Sequence, residues 1–172
     1  MANFASPLVD LSPVEKQSFK GGSYQVQPVS GPLTLFRLLG RTPEGQWNTA
    51  FGQKCWFEER LFFDCVCDAR GEDAGSPEAL ASLRFLLRDR LAVQANWNDF
   101  HSFVALRLPK TFTLDAAVGQ AEAQSYMTSL RAPGRQLGPL TLAGGAKQYI
   151  INVQRQLTPL LVGPQPISLS RA

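Results

Sequence analysis

One segment constrains the architecture more than any other: Ser76-Pro77-Glu78, followed by leucines at 80, 83, 87 and 91. A serine cap, a proline at the first helical position and an early acid that suits the helix dipole mark a helix start. The leucines recur at helical spacing and form one stripe, with Arg84, Arg88 and Asp89 toward the outer side. The segment reads as scaffolding, not as a place for chemistry. Around it the 12 prolines and 14 glycines are spread along the chain, which cuts the remainder into short elements joined by turns.

The strand before it is 33–39. Leu33, Leu35 and Arg37 share one face, and Thr34, Phe36 and Leu38 the other, because strand side chains alternate. An arginine on a leucine face is costly unless it is paired or reaches water. Two readings follow: an edge strand with Arg37 snorkelling to solvent, or a cleft in which Arg37 holds an anion. A polar loop at 40–45 leads into a short strand at 46–52. The run 55–67, apolar at 57, 61, 62 and 65, has helical spacing. The C-terminal half reads as strands at 103–109 and 112–119, a loop at 129–138, a Gly144-Gly145 turn and a strand through Val153. Residues 1–31 read as an irregular arm, with Ser12-Pro13-Val14-Glu15 starting a short helix, Gly21-Gly22 ending it, and Tyr24–Gln27 alternating like an edge strand. The tail after Pro159 reads as a surface extension. The expected division is an arm at 1–31, one domain at 32–158 and an extension at 159–172.

Net charge is +3, from 17 basic and 14 acidic residues, with no basic run or aromatic-interleaved stripe. A nucleic-acid reader carries a stronger footprint, so nucleic-acid binding is unsupported. No apolar run approaches the roughly 20 residues of a membrane span, and no membrane partner is expected. Met1–Pro7 lacks the basic flank and apolar stretch of a Sec signal. The expected location is the cytoplasm, with delivery by a dedicated secretion system the export route left open. Cys55, Cys65 and Cys67, with His101, have spacings that fit neither a disulfide framework nor a zinc site. Three buried, reduced thiols and no metal are expected.

No Ser-His-Asp or Cys-His pairing has local support, because His101 is the lone histidine. The glycine fingerprints of dinucleotide folds and P-loops are absent. The order of the remaining motifs, however, resembles a family. Leu35-Phe36-Arg37 comes first, then Gly45-Gln46-Trp47-Asn48-Thr49. After a helix, Leu106-Arg107-Leu108-Pro109 leads to Gly119-Gln120-Ala121-Glu122-Ala123-Gln124. Gly144-Gly145-Ala146-Lys147-Gln148-Tyr149-Ile150-Ile151 closes the series. This is similar to the toxin-type ADP-ribosyltransferase and NAD-glycohydrolase domains of bacterial polymorphic and secreted toxins, over roughly residues 33–153.

The resemblance implies an α+β fold, a split pair of small β-sheets with flanking helices, and NAD as a substrate in the cleft between the sheets. Arg37 would hold the NAD phosphates or ribose, since its planar fork suits phosphate. Trp47 and Thr49 would shape the nicotinamide side, and Gly144 and Gly145 would border the dinucleotide. Gln148 stands where that family carries Glu or Gln beside the nicotinamide ribose. A glutamine cannot act as a base, which shifts the expectation from transfer toward NAD hydrolysis. Glu122, before the final strand, is the carboxylate available to replace it. The implied partners are NAD, a protein acceptor and an immunity protein. The alternative, from a different class, is a non-catalytic interaction domain: an immunity partner, an adaptor or a phage structural part.

Overall fold

The computed structural model describes residues 8–40, 49–70, 76–92, 100–126 and 140–167. The elements in chain order are α1 (Pro13–Gln17), β1 (Phe19–Ser30), β2 (Leu33–Leu39), β3 (Gly52–Glu58), α2 (Glu59–Arg70) and α3 (Pro77–Leu91). They continue with β4 (Ser102–Leu108), β5 (Thr113–Ala121), β6 (Gln124–Tyr126), β7 (Leu140–Leu142), β8 (Lys147–Val153), a 3-10 helix (Arg155–Leu160) and β9 (Leu161–Pro166). The architecture is mixed α and β. Seven strands pair antiparallel in the order β1-β5-β8-β3-β2-β4-β9, and β6 pairs with β7 separately.

Strand alternation divides the apolar residues between two faces. One face collects Leu35 and Leu39 of β2, Trp56 of β3, Val104, Leu106 and Leu108 of β4, and Tyr149, Ile151 and Val153 of β8. The 3-10 helix adds Leu157 to that cluster. The opposite face carries Phe36, Leu38 and Phe57 against α2 and α3, whose Phe62, Cys65, Leu83, Leu87 and Leu91 fill the layer between. Beside the helices on this face, Leu11 and Phe19 pack over Ala117 of β5 and Ile150 of β8. The stripe expected on α3 is the one buried, and Ser76 caps it by accepting from the Ala79 amide at 3.1 Å. Arg90 of α3 and Asp68 of α2 form an ion pair that ties the two helices together.

Five expectations need correction. Residues 55–58 are strand, not helix: 55–57 pair with β8 and Glu58 with Leu35 of β2, and the helix begins only at Glu59. β2 lies between β3 and β4 and is not an edge strand. The sheet is continuous by hydrogen bonding, although β2 and β3 meet at only two paired positions, Leu35↔Glu58 and Phe36↔Phe57. The arm and the extension are not appendages. β1 pairs with β5 from Tyr24 through Ser30 and, beyond a bulge, at Phe19, and β9 pairs with β4, so both outer strands belong to the sheet. The three cysteines are free, but only Cys65 is buried, and Cys67 is exposed. The strand expected at 46–52 and the loop at 129–138 fall largely or wholly outside the described residues.

Candidate functional site

Arg37 is the residue at which β2 and β3 part. The two strands pair at Leu35 and Phe36 and diverge at the next position. The guanidinium spans the opening: Nη1 donates to the Cys55 carbonyl at 3.1 Å and Nε to the Thr49 carbonyl at 3.3 Å. Burial lowers its pKa from the ordinary arginine value, because desolvation disfavours the charged form. Among the described residues no carboxylate forms an ion pair with it. A half-buried cation answered, among the described residues, by carbonyl dipoles retains capacity for an anion. Thr49 contributes its carbonyl here, while its hydroxyl accepts from the Phe51 amide at 3.1 Å. Trp47 lies outside the described residues.

Gln148 points the other way. On β8, Tyr149, Ile151 and Val153 join the Arg37 face, so Gln148 and Ile150 face the arm. Gln148 is only 3% exposed, and its Nε2 donates to Ser18 O at 2.9 Å and to Ser18 Oγ at 3.0 Å. The same Ser18 carbonyl accepts from the Glu122 amide at 2.9 Å. Gln148 and the Glu122 backbone thus meet at Ser18, while the Glu122 carboxylate accepts from the amides of Gly21 and Ala123. Arg37 and Gln148 do not share a face. Their link is Cys55, whose carbonyl takes the guanidinium and whose thiol lies on the Gln148 side. Burial pushes that thiol up, against the charge of Arg37 and a hydrogen bond from Ser18.

Gly144 and Gly145 have φ of +66° and +81°, a region open to glycine at low cost. Their amides are already used: Gly144 donates to Asp89 O at 2.8 Å and Gly145 to Ala121 O at 2.9 Å. Ala143 donates to the Asp89 carboxylate at 2.9 Å, and Ala146 to Arg90 O at 3.2 Å. The turn therefore satisfies the last carbonyls of α3, which have no partner within the helix. It is a joint between α3 and β8, and its amides are not turned to a ligand.

Two groups escaped the sequence reading. Ser18 is the hub of the polar line, and nothing local marks it, because its partner lies 130 residues away. The second group is Glu58, Lys147 and Tyr149, on the Arg37 face. Tyr149 donates its hydroxyl to Glu58 Oε1, Lys147 Nζ reaches the same oxygen at 3.1 Å, and that nitrogen sits 5.0 Å from the Tyr149 ring centroid. The Tyr149 hydrogen bond, then Lys147, holds Glu58 below the usual carboxylate value. Hydrogen bonding to Tyr149 and then Glu58 raises Lys147, and burial followed by Glu58 raises Tyr149. Glu58 pairs across from Leu35, two residues before Arg37 on β2. Among the described residues no group of three His, Cys, Asp or Glu side chains is placed to hold a metal ion. Compared with protein-family models, with curated proteins and with solved structures, the chain matches none.

Proposed function

We propose that this chain is a toxin-like effector of ADP-ribosyltransferase or NAD-glycohydrolase type, which breaks the nicotinamide–ribose bond of NAD with the diphosphate held by Arg37. The carrying observation is the half-buried guanidinium at the β2–β3 opening, paired with no carboxylate among the described residues. A diphosphate supplies the missing negative charge, and arginine takes it through a planar fork.

In the reaction the C1′–N1 bond breaks, its electron pair leaves with nicotinamide, and a water oxygen adds to C1′ as its proton passes to solvent or to a carboxylate. Binding energy spent on the remote diphosphate serves to strain and orient the reacting ribose. The second reading, a non-catalytic interaction domain, draws on the burial of Gln148 and the occupied amides of Gly144 and Gly145.

Titration calorimetry with ADP-ribose, together with an assay of nicotinamide release from NAD, separates the two. The expected result is binding that weakens about tenfold or more in Arg37→Lys, since a lysine point charge cannot reproduce the fork. No ADP-ribose binding at millimolar concentration, with no release from NAD alone or with lysate, leaves the interaction domain.

A further inference from the structure

Trp56 carries a polar atom that the fold leaves unanswered. Its side chain is fully buried in the cluster on the Arg37 face, and its indole Nε1 has no hydrogen-bond partner among the described residues. A buried indole N–H normally finds an acceptor, and one without needs an explanation. The β2–β3 ladder pairs Leu35 with Glu58 and Phe36 with Phe57, which sets Trp56 across from Arg37 at the step where the strands part. Arg37 Nη1 donates at 3.1 Å to the Cys55 carbonyl, which opens the Cys55–Trp56 peptide. The guanidinium therefore lies within roughly 5 Å of the Trp56 backbone nitrogen. Lys54 precedes Trp56 by two residues and rises from the same face of β3. It is half-buried, sits across from Ile151 of β8, and forms no ion pair among the described residues. The charges of Arg37 and Lys54 both bear on the Cys55 thiol. Glu58, the carboxylate two residues beyond Trp56, is already taken by Lys147 and Tyr149.

We propose that Arg37, Lys54 and Trp56 Nε1 bind one phosphate-type oxyanion at the point where β2 and β3 part. Two cations and a neutral N–H share one face, and among the described residues no side-chain acceptor answers any of them. An oxyanion offsets the charges and accepts from the indole at once, whereas a water molecule brings no charge. The acceptor must also be compact, because Nε1 is shielded from solvent, and a terminal phosphate oxygen meets that condition. That the oxyanion is the diphosphate of NAD rests on the NAD reading; the oxyanion site does not.

The test uses the full chain with isotope-labelled indole nitrogens, so that NMR reports the N–H groups of its three tryptophans, Trp47, Trp56 and Trp97. The Trp56 resonance is assigned through its neighbours on β3 and β8 and checked with Trp56→Phe. Sodium pyrophosphate and ADP-ribose are titrated in at constant ionic strength. The expected result is a downfield shift of the Trp56 Nε1 proton that saturates with both. Calorimetric affinity for pyrophosphate is expected to fall about tenfold or more in Lys54→Met and in Arg37→Lys. No shift at Trp56 with either ligand overturns the site, and this is read on the parent chain. So does contact between that proton and water that persists through the titration, which makes the acceptor a buried water. An equal shift with sodium chloride alone is a salt effect and overturns it as well. A pyrophosphate shift with no response to ADP-ribose and no nicotinamide release upholds the oxyanion site and overturns the NAD reading. ADP-ribose binding that leaves Trp56 unmoved does the reverse.

Discussion

A guanidinium half-buried between two strands loses part of its hydration, which carbonyls or an anion can replace, and Arg37 has two carbonyls. Arg37→Met keeps much of the stem and strips the donors. Two carbonyls lose their partner, a cost of about 1–3 kcal/mol, while relief of the half-buried charge opposes it. The net change in urea-unfolding free energy is expected to stay within ~2 kcal/mol. Ligand linkage is the sharper readout: at a hundredfold excess over Kd, ADP-ribose adds about 2.7 kcal/mol to the parent and nothing to the variant. Glu58 makes a separate prediction. Its folded pKa is depressed, so the unfolded chain binds the proton more readily. Its contribution to stability is present above the ordinary value of 4.5 and is lost as pH falls below it through the folded pKa. Lys147 and Tyr149 shift upward, so their contribution is present at neutral pH and is lost as pH rises through their raised values. Glu58→Gln is expected to flatten the acid side of a urea-midpoint-against-pH curve, and Tyr149→Phe to flatten it in part.

At the scale of elements, the α3–β8 joint depends on its two glycines unequally. A Cβ on Gly144 would stand 2.7 Å from Ala121 O and 3.0 Å from the Glu122 carbonyl, whereas one on Gly145 would meet nothing within 4 Å. Both positions have positive φ, which costs an alanine roughly 1–2 kcal/mol. Gly145→Ala is expected to lose about that much. Gly144→Ala is expected to lose ~1 kcal/mol or more beyond it, because backbone must move. Equal losses in urea denaturation would refute the contact argument. The elements themselves were legible where the signal is local. Ser12 and Glu15 form the expected capping box, and Ser76 and Pro77 start α3 as read. Local signal failed at the β3–α2 boundary, because Phe57, Leu61, Phe62 and Cys65 keep helical spacing across a strand end. Its partner, β8, lies some ninety residues away. The faces of β2 were readable from alternation. The opposition of Arg37 and Gln148 was not, because it depends on which strands lie between them.

For the whole molecule, the strand order decides what can stand alone. The first strand of the chain sits at one edge of the sheet and the last at the other. The stretch 32–158, which composition sets off as the domain, therefore has neither outer strand. Cutting there removes Phe19 and Val29 from one side and Ile167 from the other, all 9% exposed or less. It also bares the hydrogen-bonding edges of β5 and β4, and unpaired edges of this kind promote association between chains. The buried residues of the outer strands and Ile167, not the proline-rich composition, show that both flanks belong to the folding unit. Fragment 32–158 is expected to be aggregated or to lack a cooperative urea transition, while the full chain unfolds in one step, followed by circular dichroism and by tryptophan fluorescence. Because the pairings join distant segments, such as β1 with β5 and β3 with β8, folding of the full chain should take milliseconds to seconds, as for other non-local β topologies. A soluble 32–158 fragment with a full-length-like transition would show that the outer strands are dispensable. It would then return β1 and β9 to the status of additions to a smaller sheet.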